Sequence, residues 1–208
     1  MMAGVHGARF RQSVNAGDEA AAAMLRCRGL HLVRHFWHMS VELKTDVVAG
    51  PAPSGIAITS LRSQDDLRDV HAVFDEAFVD HWGYEPEPFE AWAQDRTQGP
   101  DYDPALWRLA WEDRRRVGAL TAVVLGGVAW VTELGVRREA RGRGIGAAML
   151  QRAFEGFAAR RIRSVVLVVD SANATGATAL YERVGMRVVK RFDVWERALG
   201  PSAVSRPS

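Results

Sequence analysis

Apolar and polar positions along this chain recur in two rhythms, one of period two and one of period near 3.6, and the switches between them mark the elements. IAITSL (56–61) has the short apolar run of a strand. Ser63, with Asp66 three residues on, has the form of a capping box, and Leu67, Val70, Phe74, Ala77 and Phe78 then line one helical face. VDHWGYEPEP (79–88) is a loop rich in aromatics and acids, and 88–95 predicts a short helix. A strand is predicted at 106–112, then a β-hairpin of 117–125 and 128–136, whose turn Gly126-Gly127 supplies the positive φ angles required. A helix opens near Gly144, with Ile145, Met149, Leu150, Ala153 and Phe157 on one face. SVVLVV (164–169) is a buried strand, 174–184 a helix and 186–199 a long last strand. The tail 200–208 has the composition of a disordered segment.

The Pro/Gly-rich stretch 49–55 reads as a linker, and what precedes it repeats what ends the chain. With an offset of 156, Gly29 falls on Gly185, Val33 on Val189 and Phe36 on Phe192. The Ala-rich helix 18–28 then overlies 174–184, and RFRQSV (9–14) overlies VVLVVD (165–170). Residues 1–48 therefore read as the last strand–helix–strand of a domain, joined to a complete domain at 56–199. About 35 residues bury too little surface to fold alone. The strand in HLVRHFWHMSVEL is thus expected to complete a sheet, either in its own chain or in a partner's within a homodimer.

Composition narrows the chemistry. At 48% hydrophobic and 25% charged, the 208 residues have the make-up of a globular core, and no apolar run is long enough for a membrane span. The start, MMAGVHGARFRQ, shows no signal-peptide core, and Cys27 is the single cysteine. An internal disulfide and a multi-cysteine metal site are excluded, and a cytoplasmic setting is expected. Only Lys44 and Lys190 among 27 basic residues are lysines, and no basic stripe carries interleaved aromatics, so no nucleic-acid partner is indicated. His31, His35 and His38 lie on a strand that sets His38 opposite the other two, a poor arrangement for a metal.

The chemistry concentrates in VTELGVRREARGRGIGAAML (131–150), where a strand, a polar turn and Arg-Gly-Arg-Gly-Ile-Gly lead into a helix. Glycines clear side chains from a backbone that a ligand must approach, and first-turn amides have no partners inside the helix. Their dipole, with Arg141 and Arg143, suits a phosphate group, above all a pyrophosphate. A dinucleotide-binding oxidoreductase is a rival reading, because Gly142-x-Gly144-x-x-Ala147 satisfies the Rossmann pattern and Asp170 follows at about the ribose-binding distance. Against it, RREAR (137–141) separates strand from glycines, and too little chain follows Asp170 to finish a doubly wound sheet.

Arg141-x-x-Gly144-x-Gly146, after a strand ending LGV, resembles the acyl-CoA signature of the GNAT (Gcn5-related) N-acetyltransferases. NATGATALYERVGM (173–186) resembles that family's second hallmark, and the half-copy in front resembles the tandem architecture of the mycothiol synthases. The resemblance implies an α/β (α+β) fold with a mixed, mostly antiparallel central sheet flanked by helices. It implies acetyl-CoA as co-substrate, no metal, and transfer of acetyl to an amine of a small molecule or peptide. Leu134, Gly135 and Val136 would hold the pantetheine arm through backbone groups, and a backbone donor would stabilise the oxyanion. Arg141, Gly142, Arg143, Gly144, Ile145, Gly146 and Ala147 would cradle the pyrophosphate. Asn173 would cap the next helix and touch the coenzyme, with Gly176 giving room.

Tyr181 would be the acid that protonates the leaving thiolate. An ordinary phenol lies only ~1.5 units above a thiol, and burial is expected to narrow that gap. Tyr181 also fits the core face of Ala177, Leu180 and Val184. Glu133, the acid on the strand before LGV, is the candidate base; it reads equally as a strand-edge carboxylate facing solvent or an arginine. The mycothiol synthases place a base glutamate three residues earlier, where this chain has Trp130. Asp80 and His81, which with Trp82 lie in the loop where an acceptor is expected, are other candidate bases, and His81 also fits a packed loop histidine. A coenzyme-binding sensor or interaction module that has lost turnover remains the non-enzymatic alternative.

Overall fold

The computed structural model describes residues 8–173 and 176–199; the tail from 200 and the first part of the helix read at 174–184 lie outside them. Elements follow in the order β1 (Arg9–Asn15), α1 (Glu19–Cys27), β2 (His31–Glu42), β3 (Ile56–Thr59), α2 (Gln64–Phe78), α3 (Phe89–Thr97), β4 (Arg108–Glu112), β5 (Arg115–Leu125), β6 (Val128–Val136), α4 (Ile145–Ala159), β7 (Ser164–Asp170), α5 (Ala177–Arg183) and β8 (Arg187–Ala198). The capping box forms: Ser63 Oγ accepts from the Asp66 amide at 3.4 Å, and the Asp66 carboxylate accepts from the Ser63 amide at 3.1 Å. Strand β4 starts two residues later than expected because Asp103 caps a 3-10 turn at Pro104–Leu106. Gly126 and Gly127 both take positive φ in the β5–β6 turn. The periodic face of α4 is the centre of the core, with Ile145, Met149, Leu150, Ala153 and Phe157 all at 1% exposure or less.

All eight strands lie in one sheet, ordered β1-β8-β2-β7-β6-β5-β4-β3. Only β6 and β7 run parallel, so this is the mixed, mostly antiparallel sheet expected and not a doubly wound one. The oxidoreductase reading falls with that topology. Strand β2 lies between β7 and β8 of its own chain, antiparallel to both, and buries Met39 completely.

The quartet β1-β8-β2-β7 reads the same from either end if β1 exchanges with β7 and β8 with β2. Phe36 stands opposite Phe192, its counterpart at an offset of 156, with His35 opposite Asp193 and Trp37 opposite Arg191. A pseudo-two-fold axis therefore passes between those phenylalanines. Arg9 pairs with Ala198 as Ser164 pairs with Glu42, so Arg9 corresponds to Ser164 rather than to Val165. A register shift between Leu32 and Arg34 also changes the histidine pattern: His31 pairs with Glu196 and His38 with Lys190, which share a face of β8, whereas His35 pairs with Asp193 on the other. No metal-binding group of side chains occurs among the described residues.

Candidate active site

Strands β6 and β7 pair only at Val128–Ser164, Ala129–Val165 and Trp130–Val166, then part. Parallel strands that separate leave backbone groups of both facing a gap, here the edge of β6 that runs through Thr132 to Val136. A bulge accompanies the separation: Thr121 pairs with Glu133 but Ala122 with Val131, which leaves Thr132 as the extra residue. Gly135 is required where α2 crosses, since a Cβ there would stand 2.9 Å from Phe74 Cδ1 and 3.0 Å from the Ala77 Cβ.

Beyond Val136 the chain turns through Arg138–Ala140 into the start of α4. Gly144 holds the cap position at φ +78°, and no side chain caps the helix. The amides of Ile145, Gly146 and Ala147 therefore begin the helix without a side-chain acceptor, as an anion site requires. A Cβ on Gly146 would fall 2.8 Å from Leu180 Cδ1, so this glycine lets α5 approach α4. The two arginines are already occupied. Arg141 donates to the carbonyls of Val136 (3.0 Å) and Ala77 (2.9 Å), bracing the loop on β6 and α2, and Arg143 forks onto Glu112 at 2.6 and 3.2 Å. Backbone and helix dipole, more than guanidinium charge, are what this loop presents.

On the side of the sheet that α4 and α5 cover, Tyr181 is buried, and its hydroxyl has no hydrogen-bond partner among the described residues. Burial pushes the phenol up to about 12, which widens its distance from an ordinary thiol where a narrower one was expected. The reason is that desolvation penalises the phenolate and nothing charged offsets it. The cap of α5 is Gly176, at φ +73°, and not Asn173. Asn173 instead donates its amide to the Asp170 carbonyl at 3.1 Å, in the turn after β7.

The other face of the gap is bordered from two sides. On one wall Glu133 accepts a two-pronged bond from Arg96 of α3, both at 3.2 Å, and a third from Thr121 at 3.3 Å. Arg96 also reaches Glu87 at 3.2 Å, and the Tyr84 hydroxyl donates to Asp75. Burial and then the Asp75 carboxylate raise the Tyr84 phenol above its usual range. Between them Val168 is 51% exposed. The opposite wall comes from β2, β8 and the 79–88 loop. His38 lies 5.3 Å from the Trp130 ring and 6.4 Å from Phe192, and Phe36 lies 6.3 Å from Trp82. Arg11 and Arg34 stand over Trp82 at 4.5 and 5.6 Å, while Arg34 also binds Asp170 at 2.7 Å. Asp80 is exposed and paired with Arg138. His81 packs on Phe78 at 4.8 Å, and burial, followed by the Arg141 charge, holds its imidazole below 6.5.

Of the residues expected from sequence, Glu133, Asp80, His81 and Trp82 come to this face, whereas Tyr181 lies on the other side of the sheet. Arg96, Tyr84, Phe36, His38, Arg11 and Arg34 were not foreseen. The N-terminal four belong to strands whose neighbours are fixed by long-range pairing, and no local pattern announces them.

Residues 67–186 match the family model of the Acetyltransferase (GNAT) family. This chain belongs to that family. It is 35% identical over 179 residues to the mycothiol acetyltransferase of Clavibacter michiganensis subsp. michiganensis, covering 82% of this chain and 56% of the relative. The mycothiol acetyltransferase of Thermobispora bispora is 32% identical over 180 residues, 81% of this chain and 59% of that one. Among solved structures, a GCN5-related N-acetyltransferase from Sphaerobacter thermophilus superposes with a TM-score of 0.83 at 32% identity, over 94% of this chain and 61% of that one. A tandem GNAT protein from the clavulanic acid biosynthesis pathway shares the fold, with a TM-score of 0.69 at 16% identity. The chain spans less than two thirds of the length of the mycothiol acetyltransferases it matches.

Proposed function

We propose that this chain transfers an acetyl group from acetyl-CoA to an amine of a small molecule or peptide by direct attack. The observation that carries this reading is the parting of β6 from β7 immediately before a glycine-opened helix start. The gap offers backbone groups of Leu134, Gly135 and Val136 to an extended pantetheine arm. The amides at the start of α4 meet the pyrophosphate. Asn173 and Gly176 line the turn that follows β7. Arg141 contributes by bracing the loop, through the two donors it places on carbonyls.

Acetyl-CoA, when bound, supplies a thioester carbonyl for attack. Tyr181 carries a proton to the departing sulfur. At about 12 the phenol stays protonated across the neutral range, as an acid must, and a thiolate released into the same water-poor space is itself made more basic. Glu133, with Arg96, fixes the wall that receives the acceptor. Relatives named mycothiol acetyltransferase direct the first trials to amines related to mycothiol. In this reading residues 56–199 form the catalytic unit, residues 1–48 a partial repeat that lends β2, and 49–55 the link between them. A cytoplasmic setting agrees with the single, exposed Cys27.

Gly144→Val tests the coenzyme assignment. At φ +78° a β-branched residue is strained whatever space surrounds it, and relief of that strain turns the helix-start amides away from the anion. Acetyl-CoA binding, followed by tryptophan fluorescence, is expected to disappear in a protein that still folds. Tight binding by the variant refutes the placement. A thiol-release screen over small amines and peptide N-termini then separates an enzyme from a sensor: a protein that binds acetyl-CoA but releases thiol no faster than buffer is the sensor.

A further inference from the structure

We propose that His38 of β2 accepts the proton of the attacking amine: its imidazole stands on the acceptor face, beside the point where β6 parts from β7, with Trp130 packed against it. The inference rests on the acetyl transfer proposed above. Strand register fixes the location. Trp130 pairs with Val166, the last contact of β6 with β7, and His38 pairs with Val168, the next residue of β7 on that face. Val168 is half exposed, so the ring borders an open stretch of this face.

The carboxylates on this face are engaged. Both oxygens of Glu133 bind Arg96, Asp170 binds Arg34, Asp80 binds Arg138 and Asp75 holds the Tyr84 hydroxyl. A carboxylate held by a guanidinium fork must lose that bond to take a proton. His81 packs on the Phe78 ring, among the charges of Arg141, Asp170 and Asp80. His38 Nε2 is shielded from solvent and has no partner among the described residues. Burial, and then the ammonium of Lys190 directly across on β8, keep the ring below 6.5 and therefore neutral at pH 7. The other groups packed around it, Phe192, Val168 and Trp130, do not titrate.

The step balances. The amine nitrogen bonds to the thioester carbon while its proton passes to the imidazole. Collapse of the tetrahedral intermediate breaks the C–S bond, and Tyr181 gives its proton to sulfur. Solvent then carries the imidazolium proton back to the phenolate. The products are an amide and CoA thiol.

The test compares His38→Gln with His35→Gln, on the opposite face and paired with Asp193. Thermal melting, acetyl-CoA affinity, and kcat/KM against pH with the best acceptor are measured. His38→Gln is expected to lose about 10²-fold or more in kcat/KM with acetyl-CoA affinity within a factor of about two. His35→Gln is expected to match wild type. In wild type, log kcat/KM should rise with a slope near two below a break under pH 6.5 and a slope near one above it, where only the amine still titrates. The break should vanish in His38→Gln. Adding Trp130→Glu to that variant should restore about tenfold and move the break into the carboxylate range. If His38→Gln does not fold, the wild-type profile decides, and absence of the break overturns the inference. Wild type that acetylates amines alongside an equally fast His38→Gln overturns this inference alone. Wild type that binds acetyl-CoA yet acetylates nothing overturns the enzymatic reading and this one with it.

Discussion

A chain lacking residues 1–46 is expected to be unfolded or insoluble, not a smaller acetyltransferase. The deletion removes the twelve-residue strand β2 from the interior of the sheet. Strands β7 and β8 then keep no common neighbour, and both show bare backbone along most of their length. Met39 leaves the core from a fully buried position, and truncating such a side chain alone costs roughly 2–5 kcal/mol. Leu43 is lost from the same core, and Leu25 and Leu30 no longer cover Trp195. Set against a whole-domain stability of roughly 5–15 kcal/mol, the loss of a doubly paired strand exceeds what remains. The check is expression and thermal melting of residues 47–208. A soluble product that melts at the wild-type temperature shows that β2 is dispensable.

Tyr181→Phe is expected to cost about 10²-fold or more in turnover while acetyl-CoA affinity changes little. The hydroxyl makes no hydrogen bond among the described residues, so its removal orphans no partner there and the ring still fills its place in the core. Only a role in the transition state is then lost. The phenol at about 12 also predicts that wild-type turnover shows no alkaline fall from this group below about pH 10, because less than a tenth of it has ionised there. Steady-state rates of thiol release, with equilibrium binding measured beside them, provide the test. An unchanged rate assigns the proton to water or another group.

These expectations draw on both sequence and fold. Local patterns sufficed for α2, α4 and the β5–β6 hairpin, because a capping box, a periodic apolar face and a Gly-Gly turn act within a few residues. The glycine-opened start of α4 was legible for the same reason: positive φ at Gly142 and Gly144 is a property of residue type. The offset of 156 was legible too, and its structural meaning is the axis between Phe36 and Phe192.

Burial was harder to read. Tyr181 was assigned a role from its motif, but its phenol stands further from a thiol than expected, since burial depends on how α5 packs and not on the residues beside it. Glu133 was recognised as a lone acid on an apolar strand, yet Arg96, which occupies both of its oxygens, comes from a helix whose sequence carries no sign of that pairing. The face presented by His31 also escaped, because a bulge between Leu32 and Arg34 breaks the two-residue rhythm on which strand reasoning depends.

The sequence by itself determined the element order, the phosphate-type helix start, the family resemblance and the repeat, since each rests on side chains acting on their immediate backbone. Only the tertiary structure decided that β2 lies between β7 and β8, which carries Phe36 to Trp82 and His38 to Trp130 and brings the loop's Trp82 against Arg11 and Arg34. The physical reason is that strand partners are chosen by hydrogen bonds and packing between segments more than a hundred residues apart, where no local propensity reaches.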